Sequence, residues 1–208
     1  MSGAREPVTT AAPSLDIGVV GSLLAAGSHE ADASLSWKQG VLRMMEGDDR
    51  TMVDDSMTLE TLETLEREQE QLVLDSFDFE DAWALGLRLR QNASKSAYAL
   101  GIEVTHGNDI VFATLLPGAS ANFRRWITRK REVVRHFQRS SLFMRLTVEH
   151  EGFDFEKEFR LPPHKFAARG GGVPIIVRGV GLVGVATASG LPDLDDHRFV
   201  VDGIKTLL

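Results

Sequence analysis

The pattern of hydrophobic and polar positions changes sharply near residue 57. Residues 1–56 show no sustained helical or alternating period and contain many small residues, glycines and acids, which predicts an acidic, flexible N-terminal extension. A helical period begins after Met57, where Thr-Leu-Glu occurs three times in succession from Thr58 to Glu66. Because Met57 directly precedes this onset, we hypothesise that it is the physiological start, and we expect a single domain over residues 57–208.

From residue 71 the pattern alternates between strand and helix periods. The predicted strands are residues 72–77, 98–105, 110–116, 141–148, 153–159, 173–177 and 182–188. The predicted helices are a segment that Asp78 caps and that runs through Leu89, residues 120–139 and residues 193–208. Very short turns, His106-Gly107-Asn108-Asp109 and Arg178-Gly179, join two of the strand pairs and do not suit parallel crossovers. The sequence therefore predicts an α+β fold, in which helices pack on the faces of a mainly antiparallel sheet.

The composition is typical of a globular protein, with 43% hydrophobic and 25% charged residues among 208 and no cysteine. The absence of cysteine excludes disulfide scaffolds, zinc ribbons, iron–sulfur clusters, thiolate-ligated haem and cysteine nucleophiles. No apolar run reaches the roughly 18 residues of a membrane-spanning helix. Residues 15–26 resemble a signal peptide poorly because they contain Asp16, so we expect a cytoplasmic protein without a membrane partner.

The formal net charge of −7 is unevenly distributed. Residues 1–56 carry four basic and nine acidic side chains, and residues 57–81 carry one and nine. The remaining 127 residues carry 18 basic and 12 acidic side chains, so a basic body follows an acidic segment. An anionic ligand is therefore compatible with the body of the protein.

Three consecutive glycines, Gly170, Gly171 and Gly172, precede the strand that begins at Val173. Such a run indicates either a sharp turn with positive φ or a place where a flat ligand or a second backbone approaches closely. It does not match a phosphate loop, which follows a strand and opens a helix. A structural turn and a ligand-lining loop both remain open.

His197 stands in the first turn of the last predicted helix, after Ser189-Gly190-Leu191-Pro192. Its spacing to Val201 and Ile204 places the imidazole on the inward face. A neutral ring there suits a base, a hydrogen-bond donor or a metal ligand. The alternative is a core histidine that a backbone carbonyl satisfies.

A basic helix is predicted over residues 120–139. Its seven basic residues are Arg124, Arg125, Arg129, Lys130, Arg131, Arg135 and Arg139. Arginine suits bidentate binding of carboxylates, so a ligand carboxylate or an acidic protein surface could face this helix. Its aromatic residues Trp126 and Phe137 fall on the predicted core face and do not form a stacking platform, so we expect no nucleic-acid partner.

Three stretches together resemble the haem-degrading-domain family of small proteins related to GlcG and HbpS. They are Trp126-x-x-Arg129-Lys130 continuing to Phe137-x-x-Ser140-Ser141, Gly170-Gly171-Gly172-Val173-Pro174-Ile175, and Ser189-Gly190-Leu191-Pro192 with Asp196-His197. The resemblance covers residues 72–208 and implies an α/β/α sandwich with a profilin-like, five-stranded antiparallel sheet. It also implies self-assembly into dimers or larger rings. This chain departs from the family at Arg169, where relatives often have histidine, and at His136, where they usually have arginine.

The resemblance further implies binding of haem or a related tetrapyrrole and, in some members, oxidative haem breakdown. In that interpretation His197 or His164 faces or ligates the iron, and His197 is the candidate catalytic residue. Gly170 to Gly172 would let the macrocycle lie against backbone, and Arg135 or Arg169 would hold the propionates.

Two other functions are compatible with the sequence. The first is a non-catalytic oligomeric interaction protein with a structural glycine loop, whose arginine helix meets the acidic residues 60–70 within the chain or across subunits. The second is an enzyme that acts on a small organic acid, with His197 as base and Arg135 as carboxylate clamp. Both use residues already named above.

Overall fold

A computed structural model of the chain describes the backbone of residues 52–208 and the side chains from residue 61 onward, and residues 52–208 form one compact unit. Within this part of the chain lies a five-stranded sheet with the order β1-β4-β5-β2-β3. The strands are β1 (Val73–Leu74), β2 (Gly101–His106), β3 (Asp109–Leu115), β4 (Gly172–Val177) and β5 (Gly181–Ser189). Among the described strand pairs only β1–β4 is parallel, so the predicted mainly antiparallel sheet is confirmed.

Helices cover both faces of this sheet. They are α1 (Met52–Gln71), α2 (Phe79–Lys95), α3 (Asn122–Phe137), α4 (Ser141–Glu151), α5 (Phe155–Phe159) and α6 (Asp193–Ile204), and a short 3₁₀ turn follows at Lys205–Leu207. α2 and α6 pack on one face, whereas α3 packs on the other together with α4. The predicted α+β sandwich is therefore confirmed. No helix in the described part of the chain has the length and apolarity needed to cross a membrane.

The main core lies between the sheet and the helix pair α2 and α6. Leu85 and Leu89 of α2 and Ile204 of α6 are fully buried against Ile102 and Ile175 of the sheet. Side chains of this kind, removed from water, supply most of the stabilising free energy of a domain. The core therefore holds the strands in a fixed register, from which the loops at both ends of the sheet extend.

Several helices and strands begin or end where local sequence signals predict. Asp78 caps α2, because its side chain accepts hydrogen bonds from the backbone N–H groups of Glu80 and Asp81, and Asp81 completes a capping box. The β2–β3 hairpin turns at Gly107, which has a φ of +55°. The chain therefore reverses where the polar turn residues interrupt the two apolar runs.

Two predicted strands are wrong. Residues 141–148 belong to α4, because Ser140 caps the amide of Phe143, and Gly152 ends the helix in a left-handed conformation. α4 lies between α1 on one side and α3 and β4 on the other, so it buries Leu142, Met144 and other apolar residues on more than one face. This two-sided burial produces an apolar spacing that imitates a strand.

Residues 153–159 contain no strand either. Asp154 accepts hydrogen bonds from the amides of Glu156 and Lys157 and starts the one-turn helix α5. Phe155 and Phe159 of this turn pack against Phe137 at the end of α3. The apolar residues of this segment therefore form part of an aromatic cluster outside the sheet.

The first described helix begins earlier than its sequence pattern predicts. α1 starts at Met52, five residues before Met57. The predicted strand at 72–77 shrinks to the two residues of β1, which pair with Ile176 and Val177. Residues 1–51 of the predicted extension 1–56 lie outside the described residues.

Candidate functional site

The glycine run is packed against the protein's own backbone. All three glycines are buried, and Gly171 has a φ of +114°. A Cβ on Gly170 would collide with the carbonyl oxygen of Asp193, and one on Gly171 would lie 2.5 Å from the carbonyl oxygen of Ala188. The close approach of a second backbone therefore explains these glycines. The interpretation in which a macrocycle lies on them stays a prediction, and in this structure protein atoms lie close to all three glycines.

A buried ion pair stands beside the glycine run. Nζ of Lys130 donates to Oδ2 of Asp196 at 2.8 Å and to the carbonyl oxygen of Ala188 at 3.1 Å. The two charged side chains are 3% and 2% exposed. Asp196 also accepts the amides of Gly190 and Leu191. The pair therefore joins α3, the end of β5 and the start of α6.

Burial dominates the ionisation of Asp196. It raises the pKa of the Asp196 carboxyl, while the charge and hydrogen bond of Lys130 oppose this rise. Lys130 was grouped with the basic residues that a ligand carboxylate or an acidic protein surface could face, and its burial was not predicted. The carboxyl and the ammonium are both structural groups in this arrangement, with their hydrogen bonds directed to the protein.

His197 is also buried, with 3% of the residue exposed. Its Nε2 lies 2.7 Å from Oε1 of Glu68 on α1, and its Nδ1 has no hydrogen-bond partner. The inward orientation predicted from its spacing is therefore observed, but its partner is a carboxylate from α1. In this arrangement α1 covers the histidine, so Nε2 is not open to a ligand.

Arg135 lies at the hairpin end of the sheet. Its guanidinium donates to the carbonyl oxygen of Gly107 at 2.8 Å, and Glu132 lies 3.6 Å away. Burial and the neighbouring Arg131 lower the pKa of Arg135. The amide of Gly107 bonds to Val183, whereas the glycine run meets β5 at Ala188. Val183 and Ala188 are five residues apart along β5, which corresponds to about 17 Å. Arg135 therefore lies far from the glycine run.

The side chain of the neighbouring Arg131 also has its ion-pair partner within the chain. Its guanidinium bonds to the carboxylate of Glu103 at 2.6 Å, with both side chains largely buried. At the end of α3, Arg139 lies 3.8 Å from Glu66 of α1. The basic helix therefore meets part of the acidic segment within the chain, as one alternative from the sequence expected.

Arg169 stands at a cleft between α3, α4, the start of α5 and the loop before β4. The cleft has a volume of about 320 Å³, near the lower end of the range for small-molecule sites. We call it the arginine cleft, after the three arginines that line it, Arg129, Arg145 and Arg169. Trp126, Phe155 and Phe166 supply aromatic walls, while Glu149, Asp154 and Glu156 supply acidic groups.

The arginines of this cleft differ in their partners. Arg129 lies 4.6 Å over the ring of Trp126 and donates to the carbonyl oxygen of Phe166, and it has no carboxylate partner among the described residues. Arg145 and Arg169 approach Oδ2 of Asp193 only at 3.7 and 3.9 Å. These distances exceed a hydrogen bond, and Nε of Arg145 and Oδ2 of Asp193 are buried without hydrogen-bond partners. The guanidinium groups of Arg129 and Arg145 therefore retain unused donor capacity, whereas Oδ2 of Asp193 is an acceptor and offers none to an anion.

The structure does not gather all the residues selected from the sequence. Arg169 lines the arginine cleft, and His164 is exposed in the loop two residues before the wall residue Phe166. His197 lies beneath α1, and Arg135 lies at the hairpin. No group of three or more histidine and acidic side chains that could hold a metal ion occurs among the side chains described, those of residues 61–208. Arg129, Arg145 and Glu68 were not selected as site residues, although Arg129 belongs to the Trp-x-x-Arg-Lys stretch.

A family model matches most of the described chain. The family described as haem degrading protein HbpS-like matches residues 77–205. A UPF0303 protein of Streptomyces avermitilis is 36% identical over 148 residues, which cover 71% of this chain and 91% of the relative. A UPF0303 protein of Acidobacterium capsulatum is 38% identical over 148 residues, covering 71% and 90%.

Solved structures share the fold. The Ybr137w protein superposes with a TM-score of 0.65 at 25% identity, covering 76% of this chain and 94% of that protein. HbpS gives a TM-score of 0.53 at 16% identity, with 64% and 90% covered. A PduOC–haem complex gives 0.54 at 16% identity, with 62% and 94% covered. At 16% identity these last two show the common fold alone.

Proposed function

Because this chain belongs to the family of HbpS-like haem-degrading proteins, we propose that it binds haem or a related tetrapyrrole. Such a ligand is planar, largely apolar and carries carboxylates. The observation that supports the proposal is the arginine cleft, which combines aromatic walls with three guanidinium groups. The solved complex of PduOC with haem adds support, because that protein has the same fold.

The cleft residues fit the carboxylates and the ring better than the glycine run does. Arg129 has no carboxylate partner in the described chain, and planar guanidinium forks suit propionates. Trp126 and Phe166 offer flat apolar contact to a macrocycle. When bound, haem would supply the redox chemistry of its iron.

The histidines differ in their fit to the iron. His197 does not fit as arranged, because Nε2 is paired with Glu68 and the side chain is 4% exposed. His164 is exposed close in sequence to the cleft wall, so we propose it as the histidine to test first. Glu68 would have to release His197 before that residue could serve as ligand or catalytic group.

A haem titration of the full chain, followed by the Soret band, tests the proposal. We expect saturable binding, weakened about tenfold by Arg129→Gln, because a charge-assisted hydrogen bond contributes about 1.5 kcal/mol or more. Arg124→Gln is the matched control, since Arg124 is exposed on the same helix and does not line the cleft. A non-saturating spectrum refutes haem binding, and equal effects of the two substitutions refute the assignment to the cleft.

Oxidative breakdown is the finer proposal and requires a separate measurement. Loss of the Soret band with ascorbate and oxygen, undiminished by catalase, supports turnover. A loss that catalase prevents shows bleaching by peroxide and contradicts turnover.

A second candidate is a non-catalytic oligomeric interaction protein. It is favoured by the internal packing of the glycine run and by the contacts that occupy His197 and Arg135. Sedimentation of the full chain without haem tests it: a stable oligomer supports this function, and a monomer at all concentrations contradicts it.

A further inference from the structure

The arginine cleft is lined by as many acidic as basic side chains. Its charged lining residues are Arg129, Arg145, Arg169, Glu149, Asp154 and Glu156. A ligand with charge of one sign is attracted by half of these groups and repelled by the other half. The lining therefore favours a ligand that is itself balanced, with one positive and one negative group.

Most of these charges already have partners inside the protein. Arg145 lies 3.7 Å from Glu149 and 3.7 Å from Oδ2 of Asp193. Arg169 lies 3.9 Å from the same oxygen of Asp193. The side chain of Asp154 accepts two backbone amides at the start of α5. A ligand in the cleft therefore meets these groups with much of their charge already compensated.

Arg129 is the lining cation that has no counter-charge among the described residues. Its Nε–H donates to the carbonyl oxygen of Phe166 at 3.3 Å, and its guanidinium lies 4.6 Å over the ring of Trp126. The four other N–H groups of the guanidinium have no partner in the described part of the chain. They form a planar fork, which suits the two oxygens of a carboxylate.

Glu156 is the corresponding lining anion. It is exposed on α5, and no basic side chain within residues 61–208 forms an ion pair with it. Its carboxylate oxygens only accept hydrogen bonds, so they suit a donor such as an ammonium group. Trp126, Phe155 and Phe166 line the same cleft and supply apolar surface.

We propose that the arginine cleft binds a zwitterionic amino acid with a large apolar side chain. The ligand carboxylate bonds to the guanidinium of Arg129, its ammonium faces Glu156, and its side chain contacts the aromatic walls. A cleft of about 320 Å³ is small for a ligand site, which favours a single amino acid, with both charges on one carbon, over a peptide. The inference adds a ligand class to the cleft and does not depend on haem binding.

A series of ligands on the unaltered full chain tests the two charges one at a time. Isothermal titration calorimetry without haem measures the dissociation constants of L-phenylalanine, of phenylethylamine, which lacks the carboxylate, and of phenylpropionate, which lacks the ammonium. We expect saturable binding of L-phenylalanine, and binding of phenylethylamine about tenfold weaker because the bonds to Arg129 are lost. We expect phenylpropionate to bind about threefold more weakly, since water screens the exposed Glu156.

Substitutions assign each ligand charge to its residue. In Arg129→Gln we expect L-phenylalanine to bind no more tightly than phenylethylamine binds to the wild type. In Glu156→Gln we expect it to bind no more tightly than phenylpropionate does. Arg124→Gln and Glu158→Gln are matched controls, because both residues are exposed on the same two helices and do not line the cleft. They should keep the wild-type affinities.

Three results overturn the proposal. The first is the absence of saturable L-phenylalanine binding, and the second is phenylpropionate binding as tight as that of L-phenylalanine, which would show a site for anions alone. The third is an equal loss in the cleft variants and their controls, with thermal melting as the check that each is folded. The ligand series decides the proposal even if a variant fails to fold. Because these titrations contain no haem, their failure leaves the haem proposal to its own titration.

Discussion

The ammonium of Lys130 and the carboxylate of Asp196 are 2.8 Å apart in an interior where neither side chain is more than 3% exposed. The pair lies at the meeting point of α3, α6 and the end of β5, and the amides of Gly190 and Leu191 complete the coordination of the carboxylate. A buried pair of this kind gains little over an apolar pair, but removing one partner leaves an uncompensated charge. The ion pair therefore makes the junction of these three elements sensitive to single substitutions.

Lys130→Met should destabilise the fold strongly. Removing the ammonium leaves the Asp196 carboxylate buried without its counter-charge, which costs about 3–5 kcal/mol in comparable sites. In the double variant Lys130→Met, Asp196→Leu no charge remains, and we expect a smaller loss. Urea denaturation measures the free energy of unfolding of each. A double variant that is less stable than Lys130→Met contradicts the assignment.

The pH dependence of the Lys130→Met variant should differ from that of the double variant. Burial raises the pKa of Asp196 above its ordinary value of 3.8, with Lys130 opposing the rise. A carboxyl with a raised folded-state pKa contributes stability that is fully present below 3.8 and is lost as the pH rises through the folded-state value. Without Lys130 the rise is larger, so the stability of Lys130→Met should fall more steeply than that of the double variant as the pH rises above 3.8. Parallel profiles of the two proteins would refute this.

Gly171→Ala should be more costly than Gly181→Ala. Both glycines have positive φ, +114° and +96°, so both substitutions strain the backbone similarly. A Cβ at Gly181 meets nothing within 4 Å, whereas one at Gly171 would lie 2.5 Å from the carbonyl oxygen of Ala188 and 2.8 Å from Cβ of Asp196. We expect an additional loss of about 2 kcal/mol for Gly171→Ala in thermal or urea unfolding. Equal losses would mean that β5 can move away from the loop at little cost.

Local signals in the sequence predict most of the helices and strands, and they fail where tertiary packing determines the secondary structure. The turn at Gly107 and the cap at Asp78 each depend on a few neighbouring residues, so both can be predicted without knowledge of the fold. α4 shows the opposite case, because burial on more than one face obscured its helical period. Ser140 and Gly152, a cap and a terminator twelve residues apart, were the available signals for a helix there.

The candidate site was less predictable because it is assembled from separate elements. Lys130 stands three residues after Ile127 and four before Val134, both buried, so its helical position alone indicates the core. Its partner Asp196 and the Glu68 partner of His197 come from distant parts of the chain, and a single sequence contains no signal for such pairings. Arg145 was not recognised as a site residue because residues 141–148 were wrongly predicted to form a strand. The helix α4, which forms one wall of the arginine cleft, was therefore not expected.

Glu68→Ala should loosen α1. The carboxylate of Glu68 is the hydrogen-bond partner of His197 Nε2, and since Nδ1 already lacks a partner, its removal leaves both ring nitrogens unpaired in a buried position. An unpaired buried polar group costs about 1–3 kcal/mol, so the amides of residues 61–71 should exchange hydrogen about tenfold faster or more. Glu70→Ala is the matched control, because it makes the same change in helix propensity at an exposed neighbour without a carboxylate contact in the described chain. Equal exchange in the two variants would show that the contact of Glu66 with Arg139 and the bond from Gln69 to the Gln138 carbonyl hold α1 without the histidine.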